Sequence, residues 1–201
     1  QLMGELGENV LSLSICVCSL ILLYLVGIAD DLIGVKYSAK FVVQVACGLL
    51  FLFGGLYISN LHGLFFLHNL PWGIFWPLTV ILVVFIINAM NLIDGIDGLA
   101  SGLSGVALGY YGGVFFEIGE YAFALVAFAT LGTVIPFFYY NVFGKAEKQQ
   151  KIFMGDTGSL TIGLILSFLS FRMANVEISA DHTCLSRVHP LFLAFSPLLV
   201  P

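Results

Sequence analysis

Between Phe41 and Ile93 the chain runs 53 residues without an aspartate, glutamate, lysine or arginine. About 20 apolar residues cross a bilayer whose hydrocarbon core is about 30 Å thick. A run this long therefore reads as two crossings. They are split near Ser59–Pro71, where Asn60, His62, Gly63, His68, Asn69 and Pro71 collect. The rest of the chain agrees: 60% of its 201 residues are hydrophobic, 9% are charged, and the mean hydropathy is +1.05. Soluble domains carry about 25% charged residues. A chain of this size cannot hide so much apolar surface from water, so its solvent is lipid. A β-barrel would show short alternating segments instead.

Further uncharged runs mark the other crossings. Asn9–Ala29 is the first, Gly98–Phe116 the fourth, Tyr121–Tyr140 the fifth and Thr157–Phe171 a short sixth; Val188–Pro201 begins a seventh. The expected fold is an all-α, polytopic transmembrane helical bundle with six complete spans and a truncated seventh. It forms a single integral membrane domain over 1–201, incomplete at both ends. Net charge is −5 with no basic run, which excludes a nucleic-acid partner. Cys16, Cys18 and Cys47 lie in apolar runs, and no CxxC pair occurs among the four cysteines. They read as packing residues, not as a metal or disulfide framework.

Counting crossings places the polar loops. With the Asp30–Lys40 loop on one side, Asn91–Asp97 and Asn141–Asp156 return to that side. Asp30, Asp31, Asp94, Asp97 and Asp156 therefore share one membrane face, and the same loops hold all five lysines. The opposite loops hold Arg172 and Arg187. Excess lysine and arginine marks the cytoplasmic side, so the acidic face of this multi-pass protein is expected to be cytoplasmic. His62, His68, His182 and His189 fall on the far side, too distant to join it.

Three constellations on that face carry chemistry. Asp30-Asp31 ends the first span. Neighbouring like charges at a membrane raise each other's pKa or recruit a cation, and aspartate oxygens suit Mg²⁺. Asn88, Asn91, Asp94 and Asp97 are spaced by three and would recur on one side of a helix; Gly95 and Gly98 would admit a ligand close to the backbone. The competing account of this segment is an ordinary Asn/Asp/Gly turn. Phe153-Met-Gly-Asp156-Thr157-Gly-Ser opens the sixth span. Asp156 and Thr157 are plain N-caps or part of a helix N-terminus that offers its N–H groups to a phosphate. Lys40 stands where a point charge would meet a phosphate, with Gln44 one turn along the same face.

These three motifs, Asp-Asp through Lys40 to Gln44, Asn-Ala-Met-Asn-Leu-Ile-Asp-Gly-Ile-Asp-Gly-Leu-Ala at 88–100, and Phe-Met-Gly-Asp-Thr-Gly-Ser at 153–159, resemble those of the polyprenyl-phosphate N-acetylhexosamine-1-phosphate transferases. The resemblance covers most of the chain in the same order. It implies Mg²⁺-dependent (alternatively Mn²⁺-dependent) transfer of a sugar-1-phosphate from a UDP-N-acetylhexosamine to a polyprenyl phosphate, with release of UMP. By matching motif, Asp30 and Asp31 are the acidic pair, one of which deprotonates or positions the lipid phosphate. Asp94 joins them as a catalytic candidate and, with Asp97 and Gly95, lines the nucleotide pocket. Asn91 and Asp156 match the metal-contacting positions. Phe153 matches an aromatic residue that stacks on uracil, and Asn88 supports the wall. The resemblance also implies the inner (plasma) membrane, and a homodimer in the bilayer is compatible with this family.

The chain also departs from the pattern. Gly34 stands where many relatives carry a third acid after the first pair. The family's histidine-rich cytoplasmic loop would follow the span that begins near Val188, so the 201 residues alone are expected to give no turnover. The segment from Asp30 to Lys40 points to N-acetylglucosamine as the sugar, with N-acetylmuramoyl-pentapeptide as the alternative. A cation-binding transporter would carry its acids midway through the spans instead. An inactive paralogue would not need the intact Asp pair and Asp156.

Overall fold

The computed structural model describes residues 2–58, 71–145, 147, 149–175, 195 and 198, with side chains from Asn9 onward. These residues form six helices: α1 (Leu2–Ile33), α2 (Tyr37–Phe53), α3 (Trp72–Ile93), α4 (Leu99–Glu117), α5 (Tyr121–Phe143) and α6 (Gly155–Ala174). No strand occurs among them. Five helices are long and apolar enough to cross a membrane. The exception, α2, has 17 residues, about 26 Å at 1.5 Å per residue. The chain is a polytopic helical membrane bundle. The four histidines, Cys184 and, apart from Phe195 and Leu198, the seventh crossing lie outside the described residues.

The surface is that of a protein in lipid. Phe85 and Leu125 point outward at 66% and 70% exposure, and Trp72 and Trp76 stand exposed at the start of α3, as an interfacial belt would place them. The core is organised around α6. Within its apolar window 67% is buried, against 22% for α5 and 28% for α1. It packs against α1, α3 and α4.

This burial explains how a helix rich in hydroxyls can lie at the centre. Ser159, Thr161, Ser167 and Ser170 each donate to the carbonyl four residues back, at 3.0, 2.8, 2.8 and 2.7 Å. The Ser170 hydroxyl also meets that of Tyr111 at 2.7 Å. Their polarity is spent inside the helix. The helix is consequently longer than the expected Thr157–Phe171, extending to Gly155 and Ala174.

At the end of the bundle away from the aspartates, Arg172 is not in a loop. It lies in the last turn of α6. Its guanidinium donates to Glu120 Oε1 and Asn9 Oδ1, both at 2.8 Å, and covers the Phe123 ring at 4.6 Å. This clasp ties α1, the α4–α5 turn and α6 together. Its charge is neutralised within the bundle by Glu120.

Candidate active site

The acidic end begins where α1 stops. Gly34 adopts φ +70°, a left-handed conformation that favours glycine, and its N–H donates to the Asp30 carbonyl at 2.9 Å. Most side chains would be strained at this position. The chain then turns at once into α2. Val35 N–H donates to Asp30 Oδ1 at 2.6 Å, fixing that carboxylate against the turn.

Asp31 does something the sequence did not suggest. Its carboxylate accepts the N–H groups of Asp156 at 2.9 Å and Thr157 at 3.1 Å, and the Thr157 hydroxyl at 2.5 Å. The first-turn donors of α6, expected to face a phosphate, are instead taken by a carboxylate from α1. The electrostatic logic is unchanged, because a helix N-terminus attracts an anion. Nor do Asp156 and Thr157 cap their own helix: the N-cap residue is Met154, with no side-chain cap. Gly155 makes the contact possible. It sits at φ +67°, and a Cβ there would lie 3.1 Å from both Asp31 carboxylate oxygens.

Lys40 lies between the two remaining carboxylates, its ammonium contacting Asp30 Oδ2 and Asp156 Oδ2 together. The other Asp156 oxygen accepts the Asn91 carboxamide at 3.0 Å, and the same Asn91 nitrogen donates to Ser159 Oγ at 2.9 Å. Asp30, Asp31, Asp156, Lys40 and Asn91 are therefore one connected cluster drawn from α1, α2, α3 and α6. Asn88 is one turn away. Its amide exchanges hydrogen bonds with Gln44 at 2.6 and 3.3 Å, pinning α2 to α3 behind the cluster and not reaching the acids.

The even spacing of Asn88, Asn91, Asp94 and Asp97 does not continue on one helix face. α3 ends at Ile93, and residues 94–98 form a turn in which Gly95 is exposed. Asp94 stays near the cluster. Partial burial, then the charge of Asp156, raise its carboxyl above the ordinary carboxylate range. Asp97 turns away and pairs with Lys151 at 2.5 Å. The Lys151 ammonium also stands 5.7 Å from the Phe153 ring centre, so Asp97 and Phe153 share a second wall. That ring is 74% exposed and opens onto a cavity of about 560 Å³ between α5 and α6, lined by Thr130, Thr133, Phe137, Met154 and Thr161 among others.

One organising residue escaped the sequence reading. Asn141, 6% exposed, accepts Gly98 N–H at 2.6 Å and donates to the Ile152 carbonyl at 2.9 Å. It holds the 94–98 turn against the segment that carries Phe153. Its only sequence signal is a carboxamide in the last turn of an apolar span. Among the described residues no group of three acidic, histidine or cysteine side chains forms a ready metal cage. The carboxylates present are hard oxygen donors that already share one cation, Lys40. That fits an ion such as Mg²⁺, which is commonly held by one or two carboxylates with water and substrate phosphate.

The profile of glycosyl transferase family 4 matches residues 13–174. The chain is 35% identical over 170 residues to the phospho-N-acetylmuramoyl-pentapeptide-transferase of Staphylococcus carnosus, covering 77% of this chain and 51% of that one. It is 37% identical over 144 residues to the undecaprenyl-phosphate alpha-N-acetylglucosaminyl 1-phosphate transferase of Yersinia pestis, covering 71% and 39%. It is 33% identical over 156 residues to the protein of the same description from Escherichia coli K12, covering 76% and 41%. The chain thus spans about half or less of the length of these relatives.

Proposed function

Because the chain belongs to glycosyl transferase family 4, we propose that the protein carrying it transfers N-acetylhexosamine-1-phosphate from a UDP-sugar to undecaprenyl or another polyprenyl phosphate at the cytoplasmic face of the plasma membrane. An oxygen of the lipid phosphate attacks the sugar-bearing phosphorus of the donor. The bond from that phosphorus to the bridging oxygen breaks, and UMP leaves. The observation that carries this reading is the cluster of Asp30, Asp31, Asp156 and Lys40 at the end of an apolar bundle. There a lipid-anchored phosphate can arrive from the bilayer and a nucleotide from water.

The residues divide the work. Asp31 is committed to α6 by both oxygens, so it acts as a positioning group. Asp30 is the acid of the pair that meets the acceptor phosphate. Lys40 supplies positive charge to an anion attacking an anion, where positioning and electrostatics dominate catalysis. Phe153 offers an open ring face for the base. Asp97, Gly95 and Lys151 form the wall beside it, and Asn88 and Asn141 brace the two walls from behind. Asp156, Asp94 and Asn91 would hold Mg²⁺ or Mn²⁺, which when bound neutralises diphosphate charge.

We read the sugar as N-acetylglucosamine. The N-acetylmuramoyl-pentapeptide alternative has its own support, the 35% identity to the Staphylococcus carnosus relative. The complete protein should be purified and incubated with undecaprenyl phosphate, Mg²⁺ and each UDP-sugar in turn, and UMP assayed. UMP is expected with UDP-N-acetylglucosamine. UMP with the muramoyl-pentapeptide donor alone reassigns the sugar, and none with any donor overturns the transferase reading.

A further inference from the structure

The hydrogen bonds of the acidic cluster leave one position open to exchange. Asp31 has both oxygens on α6. Asp30 Oδ1 is held by Val35 N–H, and Asp156 Oδ1 by Asn91. The remaining oxygens of these three carboxylates, Asp30 Oδ2 and Asp156 Oδ2, are both on the Lys40 ammonium. A divalent ion that binds Asp156 through Oδ2 competes with Lys40 for that oxygen. The Asp94 carboxylate lies near this position with no side-chain hydrogen bond or ion pair among the described residues, and feels the charge of Asp156.

Resting on the transferase reading, we infer that Lys40 is the cluster's resident counter-cation, which a divalent ion displaces and so releases toward an incoming phosphate. The net negative charge draws a divalent ion to the cluster, and the shared oxygens set it against Lys40. Asp30, Asp31, Asp94 and Asp156 carry four negative charges against the one positive charge of Lys40. A second cation on the same oxygens would be held against a like charge at contact distance. The motion is confined to the side chain, because the next turn of α2 is pinned by Gln44 to Asn88. The ammonium, on a side chain 18% exposed while bridged, becomes available only when the divalent ion is in place. In this way the lysine charge is withheld from anions until the site is loaded.

Two measurements on the complete protein in detergent, without nucleotide or lipid, test this. In the first, acylation of the Lys40 amine is followed by mass spectrometry with and without Mn²⁺. It is expected to rise at least threefold with Mn²⁺, while Lys145 labelling stays constant. Unchanged Lys40 labelling overturns the exchange. In the second, Mn²⁺ binding is measured by electron paramagnetic resonance for wild type and Lys40→Met. The variant should bind about tenfold more tightly; equal or weaker binding overturns the exchange, as does absence of Mn²⁺ binding in both. The first measurement needs no variant, so a misfolded Lys40→Met protein does not rescue the idea. UMP release by the same wild-type preparation reports on the transferase reading separately: release with unaltered Lys40 labelling sinks the exchange alone.

Discussion

Asp94 is the carboxylate at the junction that no donor faces among the described residues. Its folded pKa is raised above the unfolded value, by burial first and by Asp156 second. In the window between the two values the folded state binds more protons than the unfolded one, so stability falls as pH rises through that window. Other carboxylates titrate nearby, so the measurable quantity is a difference: the fall in wild-type thermal stability relative to Asp94→Asn as pH rises from about 4 upward. Parallel pH profiles for the two proteins would refute it. Phe153 makes the opposite kind of prediction. With the ring 74% exposed, Phe153→Ala should change stability by less than about 0.5 kcal/mol. Losing a base–aromatic stack worth about 1–3 kcal/mol should weaken UDP-sugar binding roughly tenfold or more, read by calorimetry. At this scale the sequence revealed which residues are polar and where they sit along the spans. It did not reveal that Asp31 faces α6 backbone or that Asp97 faces Lys151. Those pairings join residues 125 and 54 positions apart, and nothing local encodes them.

The α1–α6 junction depends on one backbone conformation. Gly155→Ala would place a methyl against the Asp31 carboxylate oxygens and force an alanine to φ +67°. Strain of this kind costs about 1–3 kcal/mol, and the displaced carboxylate would loosen its hold on the first turn of α6. The variant should unfold at a lower temperature in detergent; a wild-type melting temperature would show that the junction yields freely. Charge-free runs located the helices well, because lipid penalises charge along the whole length of a crossing. They misplaced the ends of α6, where Asp156 and Arg172 lie inside the helix but are paired with other elements. They also could not foresee the break after Ile93. A spacing of three residues looks the same whether the helix continues or gives way to a turn.

For the molecule as a whole, counting crossings was enough to bring the aspartates to one end of the bundle, since each apolar helix reverses the chain. Which side of the membrane that end occupies rests on the lysines. The exposed Lys145 offers a direct test. A Lys145→Cys variant in intact cells should resist a membrane-impermeant maleimide and react once the cells are permeabilised, with the natural cysteines replaced beforehand. Labelling of intact cells would place the acidic end outside. The closeness of Arg172 to Glu120 and Asn9 was not legible at this scale, because the clasp requires three helices to converge at the far end.

The central place of α6 also has a consequence in time. Asp156 follows Asp31 by 125 residues. At about 5–20 residues per second of synthesis, α1 waits roughly 6–25 seconds in the membrane before the N–H groups that hold Asp31 exist. Through that interval Asp31 lacks its partners on α6, and Asn9 at the other end waits longer still for Arg172. A nascent chain halted before Gly155 would insert with Asp31 lacking its α6 donors and with Asn9 and Glu120 paired only with each other, without Arg172.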